Sequence, residues 1–108
     1  VQSLIGVFMS EEINYRIEII ANQSVQEDIT ELLEEELPEI QYTVIPTVQG
    51  RGAHSKKLGS TTWPEQNFVL FAYLSKGDAK KARDIISAVK QKFPGEGISF
   101  FCVQEADL

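Results

Sequence analysis

The sequence contains one cysteine, Cys102, so no internal disulfide and no thiolate cluster for zinc or iron–sulfur can form. It contains one histidine, His54, and no Ser-His-Asp set or local Cys-His motif; most carboxylates fall on one helical face, so no catalytic residue is assigned and the chain is not read as an enzyme. Long apolar runs are lacking. Phe68–Leu74 and Leu4–Met9, counting Gly6, are far shorter than the roughly 18 to 20 residues a membrane span needs. The second run lacks the basic flank and small-residue cleavage site of a signal peptide, and the expected location is the cytoplasm. Basic residues are scarce too: 10 Lys and Arg against 16 Asp and Glu give a net charge of -6, which argues against a sequence-independent grip on nucleic acid. The scarcity is uneven. Residues 1–50 hold ten acids and one base, Arg16, whereas residues 51–108 hold six acids and nine bases, so an anion site belongs in the second half.

What is present fits one small globular domain: 108 residues, 43% of them hydrophobic. From Asn14 to Ala21, Tyr15, Ile17 and Ile19 alternate with Arg16 and Glu18, the two-residue period of a strand with unlike faces. Ser24 and Glu27 form a capping-box pattern, and Val25, Ile29, Leu32, Leu33 and Leu37 recur at helical spacing until Pro38. The opposite helical face (Glu27, Asp28, Glu31, Glu34, Glu35, Glu36) reads as a solvated surface. Tyr42–Val48 is a second strand, and Pro46, which lacks a ladder donor, makes it an edge. A long polar connection runs from Gln49 to Asn67, with strands two and three continuing partway into it as a hairpin. Within it Trp63–Asn67 should be ordered, whereas Ala53–Gly59 has too little burial to offset its chain entropy and should be mobile. Phe68–Leu74 has the uninterrupted apolar character of a central strand buried on both faces. Ser75 and Asp78 cap a second helix carrying Ala79, Ala82, Ile85, Ile86, Val89 and Phe93, ended by Pro94 and Gly95. Ile98–Val103 is strand four, with Cys102 read as a small hydrophobe within it.

Each half thus runs strand, helix, strand, and the fold class is α+β: a ferredoxin-like double βαβ with an antiparallel four-stranded sheet and a long loop between strands two and three. The domain spans 14–105, between an N-terminal extension at 1–13 and a tail at 106–108.

Two segments carry a family resemblance. Thr43–Ala53, TVIPTVQGRGA, resembles the end of strand two in PII signal-transduction proteins, where a glycine, one residue and a second glycine open the long T-loop; here these are Gly50, Arg51 and Gly52. Gly95–Phe100, GEGISF, resembles the PII B-loop, which precedes strand four and cradles nucleotide phosphates. The resemblance extends to the related CutA-like divalent-cation tolerance proteins and covers roughly residues 14–104. Ile98 stands where the PII phosphate loop has lysine, Gln104–Leu108 is not the basic segment that clamps ATP, and no tyrosine between strands two and three could accept a uridylyl group.

The resemblance implies a nitrogen-regulatory-type homotrimer that binds a small anionic effector, such as an adenine nucleotide, between subunits and signals through the loop to a protein target. A membrane protein would fit as that target without insertion of this chain into the bilayer. The expected ligand-binding residues are Gly50, Arg51, Gly52, His54, Lys56 and Lys57 in the loop and Gly95, Glu96 and Gly97 in the facing turn. Between Arg51 and Thr62 there are four basic or imidazole side chains and no acid, and glycines allow close backbone approach; the same lysines also suit a merely solvated loop. Trp63 either stacks on a ligand or pins the loop. The alternative function is a CutA-like trimer holding a divalent metal through His54 and carboxylates. The trimer has a second motive: strands three and four are largely apolar on both faces, so something must cover the face away from the helices, where Arg16 and Glu18 would pair within or across subunits.

Overall fold

The computed structural model describes residues 12–51 and 65–108. Its elements are β1 (Tyr15–Asn22), a 3-10 turn (Gln23–Val25), α1 (Gln26–Glu36), β2 (Thr43–Gly50), β3 (Glu65–Leu74), α2 (Lys76–Lys92) and β4 (Ile98–Gln104). The strands form one antiparallel sheet in the order β2-β3-β1-β4, with β1 and β3 central and β2 at an edge, as the double βαβ pattern and Pro46 require.

One face of the sheet carries the core. Ile17, Ile19 and Ala21 of β1 and Phe68, Leu70, Ala72 and Leu74 of β3 are buried against Val25, Ile29, Leu33 and Leu37 of the first helical segment and Ala79, Ala82, Ile85, Ile86 and Val89 of α2. Each large side chain so buried stabilises the fold by about 1.5–3 kcal/mol. The acidic face of α1 is exposed along its whole length, and so are Lys80, Lys81 and Arg83 on α2.

The two helix starts differ. Ser75 accepts a hydrogen bond from the Asp78 amide at 3.2 Å and caps α2 as its pattern indicates. Ser24 caps nothing. Its own amide donates to Asn22 Oδ1 at 2.9 Å, Asn22 thereby opens the 3-10 turn, and α1 begins at Gln26 after Val25, which makes no side-chain cap. Val25 is 2% exposed, and seating it in the core brings the chain around one residue pair earlier than the capping box would.

The second face of the sheet is open. β3 is therefore buried on one face only: Phe71 is half-buried and Tyr73 is 55% exposed, while Phe101 and Val103 on β4 are both 54% exposed. Cys102, read as a small hydrophobe, stands beside Ile17 on the helix side of the sheet yet is exposed, because β4 is an outer strand with a neighbour on one side only. Arg16 sits amid this face. Its Nε donates to Glu18 at 2.8 Å and its Nη1 to the Tyr73 hydroxyl at 2.9 Å, and its guanidinium lies 4.7 Å above the centre of the Phe71 ring. The Arg16–Glu18 pair forms within one chain.

Candidate functional site

β2 and β3 pair as a hairpin beyond the body of the sheet, through Val48↔Asn67, Gln49↔Gln66 and Gly50↔Glu65, so Gly50 ends the strand and exposed Arg51 follows it. The two strands thus continue partway into the 49–67 connection as a hairpin, as expected, leaving residues 51–64 between them. Gly52, His54, Lys56 and Lys57 lie outside the described residues, as does the segment expected to be mobile. Between the pairs Ile45↔Val69 and Val48↔Asn67, β2 has two residues, Pro46 and Thr47, where β3 has only Phe68. This is a β-bulge, and it sits at the proline because a residue without an N–H costs no ladder bond there.

Gly95, Glu96 and Gly97 form the turn from α2 into β4, tied by the Glu96 amide to the Phe93 carbonyl at 3.0 Å. Neither glycine adopts a left-handed φ, and a Cβ built at either meets nothing within 4 Å. The chain's own conformation and packing therefore do not demand glycine at these positions. A requirement for it would have to come from something approaching the turn from outside the chain.

The strand register places both segments at the same end of the sheet. Ile98 pairs with Ala21, one residue before Asn22, which pairs with Asn67 and so lies level with Val48. They nevertheless lie on opposite edges, separated by β3 and β1, and three strand spacings amount to about 14 Å. The turn at 95–97 does not face Arg51 of the same chain, so the two halves of the expected site are not brought together within one copy.

Sequence reasoning missed three polar residues at this end. Asn67 is only 8% exposed, Asn22 caps the turn beside it, and Gln23 donates from Nε2 to the Pro46 carbonyl and, at 2.9 Å, to Thr47 Oγ1. A polar residue directly before the apolar run 68–74 was the available signal for Asn67; the contact between Gln23 and β2 left none. At the opposite end of the sheet, the space among Ile13, Asn14, Arg16, Tyr73 and Val103 is an open cavity of about 300 Å³ remote from both glycine segments.

Away from these features, the Tyr42 hydroxyl donates to Glu34 Oε2 at 2.6 Å. That bond to a carboxylate, followed by partial burial and the nearby negative charge, holds the phenol above its ordinary pKa of 10.0. Among the described residues, no group of three or more His, Cys, Asp or Glu side chains is placed to share a metal ion. No helix among them is long and apolar enough to cross a membrane.

No model of a known protein family matches the chain, and no curated protein sequence does. Solved structures do match. A protein of Thermus thermophilus assigned as a PII-like signalling protein superposes with a TM-score of 0.53 at 21% identity, covering 83% of this chain and 84% of that one. CPII, a nitrogen regulatory PII-like protein of Thiomonas intermedia bound to ADP, AMP and bicarbonate, superposes with a TM-score of 0.58 at 16% identity, covering 88% and 94%. The apo form of CPII gives 0.54 at 15% identity over the same shares. The chain has the PII-like fold.

Proposed function

We propose that the chain is a PII-like trimeric regulator that acts by binding rather than catalysis. Three copies pack their open sheet faces together, a small anionic effector binds in each cleft between neighbours, and the loop after Gly50 reports its presence to a protein partner in the cytoplasm. The observation that carries this reading is the position of the two glycine-bearing segments at one end of the sheet on opposite edges. A ring of copies sets the β2 edge of one beside the β4 edge of the next, so the halves that one chain holds about 14 Å apart can meet. The room around Gly95 and Gly97 suits such a contact.

The effector class follows from the donors. Arg51 offers a planar fork to phosphate or carboxylate, and backbone amides at glycine add neutral donors. CPII, with the same fold, is bound to ADP, AMP and bicarbonate, and all three are anions of a kind such donors suit.

A thermal-shift screen with AMP, ADP, ATP, bicarbonate, 2-oxoglutarate and divalent cations, with light scattering on the same samples, tests the reading. Binding to the native state at a hundred times Kd adds about 2.7 kcal/mol of stability. The expected result is a particle of three chains of 12.1 kDa each, stabilised by a nucleotide or bicarbonate. A monomer that no anion stabilises would refute the proposal, and stabilisation by a divalent cation alone would move the assignment to a metal-binding trimer.

A further inference from the structure

We infer that Gln23 is a positioning residue for the β2–β3 hairpin: its side chain latches the bulge in β2 and so sets the direction in which Gly50 and Arg51 leave the sheet. An extra residue bends a strand, raises its twist and reverses the facing of every residue after it. Before the bulge Ile45 stands beside Val69; after it Val48 and Gly50, rather than odd-numbered residues, take the places beside Asn67 and Glu65. The aim of the hairpin is thus decided at Pro46 and Thr47.

A single side chain holds both residues. The carboxamide of Gln23 donates to the Pro46 carbonyl and to the Thr47 hydroxyl, reaching them from the end of β1 past the intervening β3. Gln23 is itself fixed. Its carbonyl accepts the Gln26 amide, Asn22 before it caps the turn through the Ser24 amide, and Val25 two residues on is buried in the core. The latch therefore connects the bulge to a rigid point of the domain by a route outside the strand ladders.

The chemistry asks for an amide rather than an acid. The two protons of the Gln23 nitrogen serve two acceptors, whereas an ionised Gln23→Glu side chain of nearly the same shape has only acceptors and would set a carboxylate against the Pro46 carbonyl. The consequence for ligand affinity rests on the proposed site at Arg51, so the primary readout is taken without ligand.

The test is residue-resolved hydrogen exchange on the ligand-free full chain. Gln23→Glu and Gln23→Ala should each speed exchange at residues 48–50 and 65–67 by about three- to tenfold, as expected for losing one or two hydrogen bonds that close a local opening. Residues of β1 and α2 should keep wild-type rates. Thr47→Ala should give a smaller rise confined to the same residues, and adding it to Gln23→Ala should change nothing further. Unchanged hairpin exchange, or a rise spread evenly over β1, α1 and α2, would overturn the inference. ADP titration of the same variants separates this from the functional reading: hairpin-confined exchange in a protein that binds no ADP supports the latch and counts against the site.

Discussion

Replacing Phe101 with aspartate should break the proposed trimer while leaving the single-chain fold intact. The Phe101 side chain points away from the helices, beside Glu18, and is 54% exposed, so within one chain the change forfeits only the half of its burial made against the sheet, about 1 kcal/mol, and leaves the helix-side core untouched. In the proposed trimer the exposed half of this side chain would become buried. Full burial of such a side chain is worth about 1.5–3 kcal/mol, so the remaining half contributes roughly 1 kcal/mol per subunit and about 3 kcal/mol per trimer. Aspartate forfeits this gain and adds the larger cost of burying unpaired carboxylates, several kcal/mol each after relaxation. The nearby cation cannot relieve them, because Arg16 is already engaged by Glu18 and Tyr73. The mass from light scattering at micromolar concentration should fall from three chains to one, with the far-ultraviolet circular dichroism spectrum unchanged. A variant that keeps the trimer mass would refute this use of the open face, and one that loses its secondary structure would show that Phe101 supports the fold of the chain itself.

Three further outcomes follow from the geometry. Gly97→Ala should leave the stability unchanged or raise it by up to about 1 kcal/mol, since its Cβ meets nothing and φ is not left-handed, while ADP affinity measured by calorimetry drops; a large loss of stability with unchanged affinity would reverse the assignment. Arg51→Ala should cost roughly 1.5–3 kcal/mol of anion affinity, as a charge-assisted hydrogen bond does, and Lys57→Ala nearer about 0.5–1; calorimetry showing the opposite order would place the site elsewhere. Tyr42 has a folded-state pKa above 10.0, so its contribution to stability is complete below that pH and is lost as pH rises through the folded value; the stability advantage of wild type over Tyr42→Phe should be constant below about pH 10 and shrink above it, and an advantage that grows with alkaline pH would contradict the bond to Glu34.

Much of the fold is visible in short stretches of sequence because its causes are local. Alternation from Tyr15 to Ala21 makes β1, helical spacing makes α2, the Ser75 hydroxyl reaches the Asp78 amide three residues away, and a proline in Tyr42–Val48 forces that strand to an edge. The misread cap at Ser24 shows the limit even of local reasoning. Asn22 and Ser24 are equally good capping residues, and burial of Val25 in a core built from distant segments chooses between them. Of the candidate site, the glycine-bearing segments were visible as residue patterns, but not that Gly95 and Gly97 are unconstrained by the chain that carries them.

The sequence by itself determined the element order, the double βαβ topology and which face of each helix is buried, since these depend on periodicities repeated every two to four residues. Only the tertiary structure decided that the residues around Arg51 and Gly97 share an end of the sheet but not an edge, that Cys102 and Phe101 lie in solvent, and that Gln23 grips the bulge in β2. Each of these depends on strand register or on contacts between residues more than twenty positions apart, where no periodic pattern links the partners and the pairing is set by how the whole core closes.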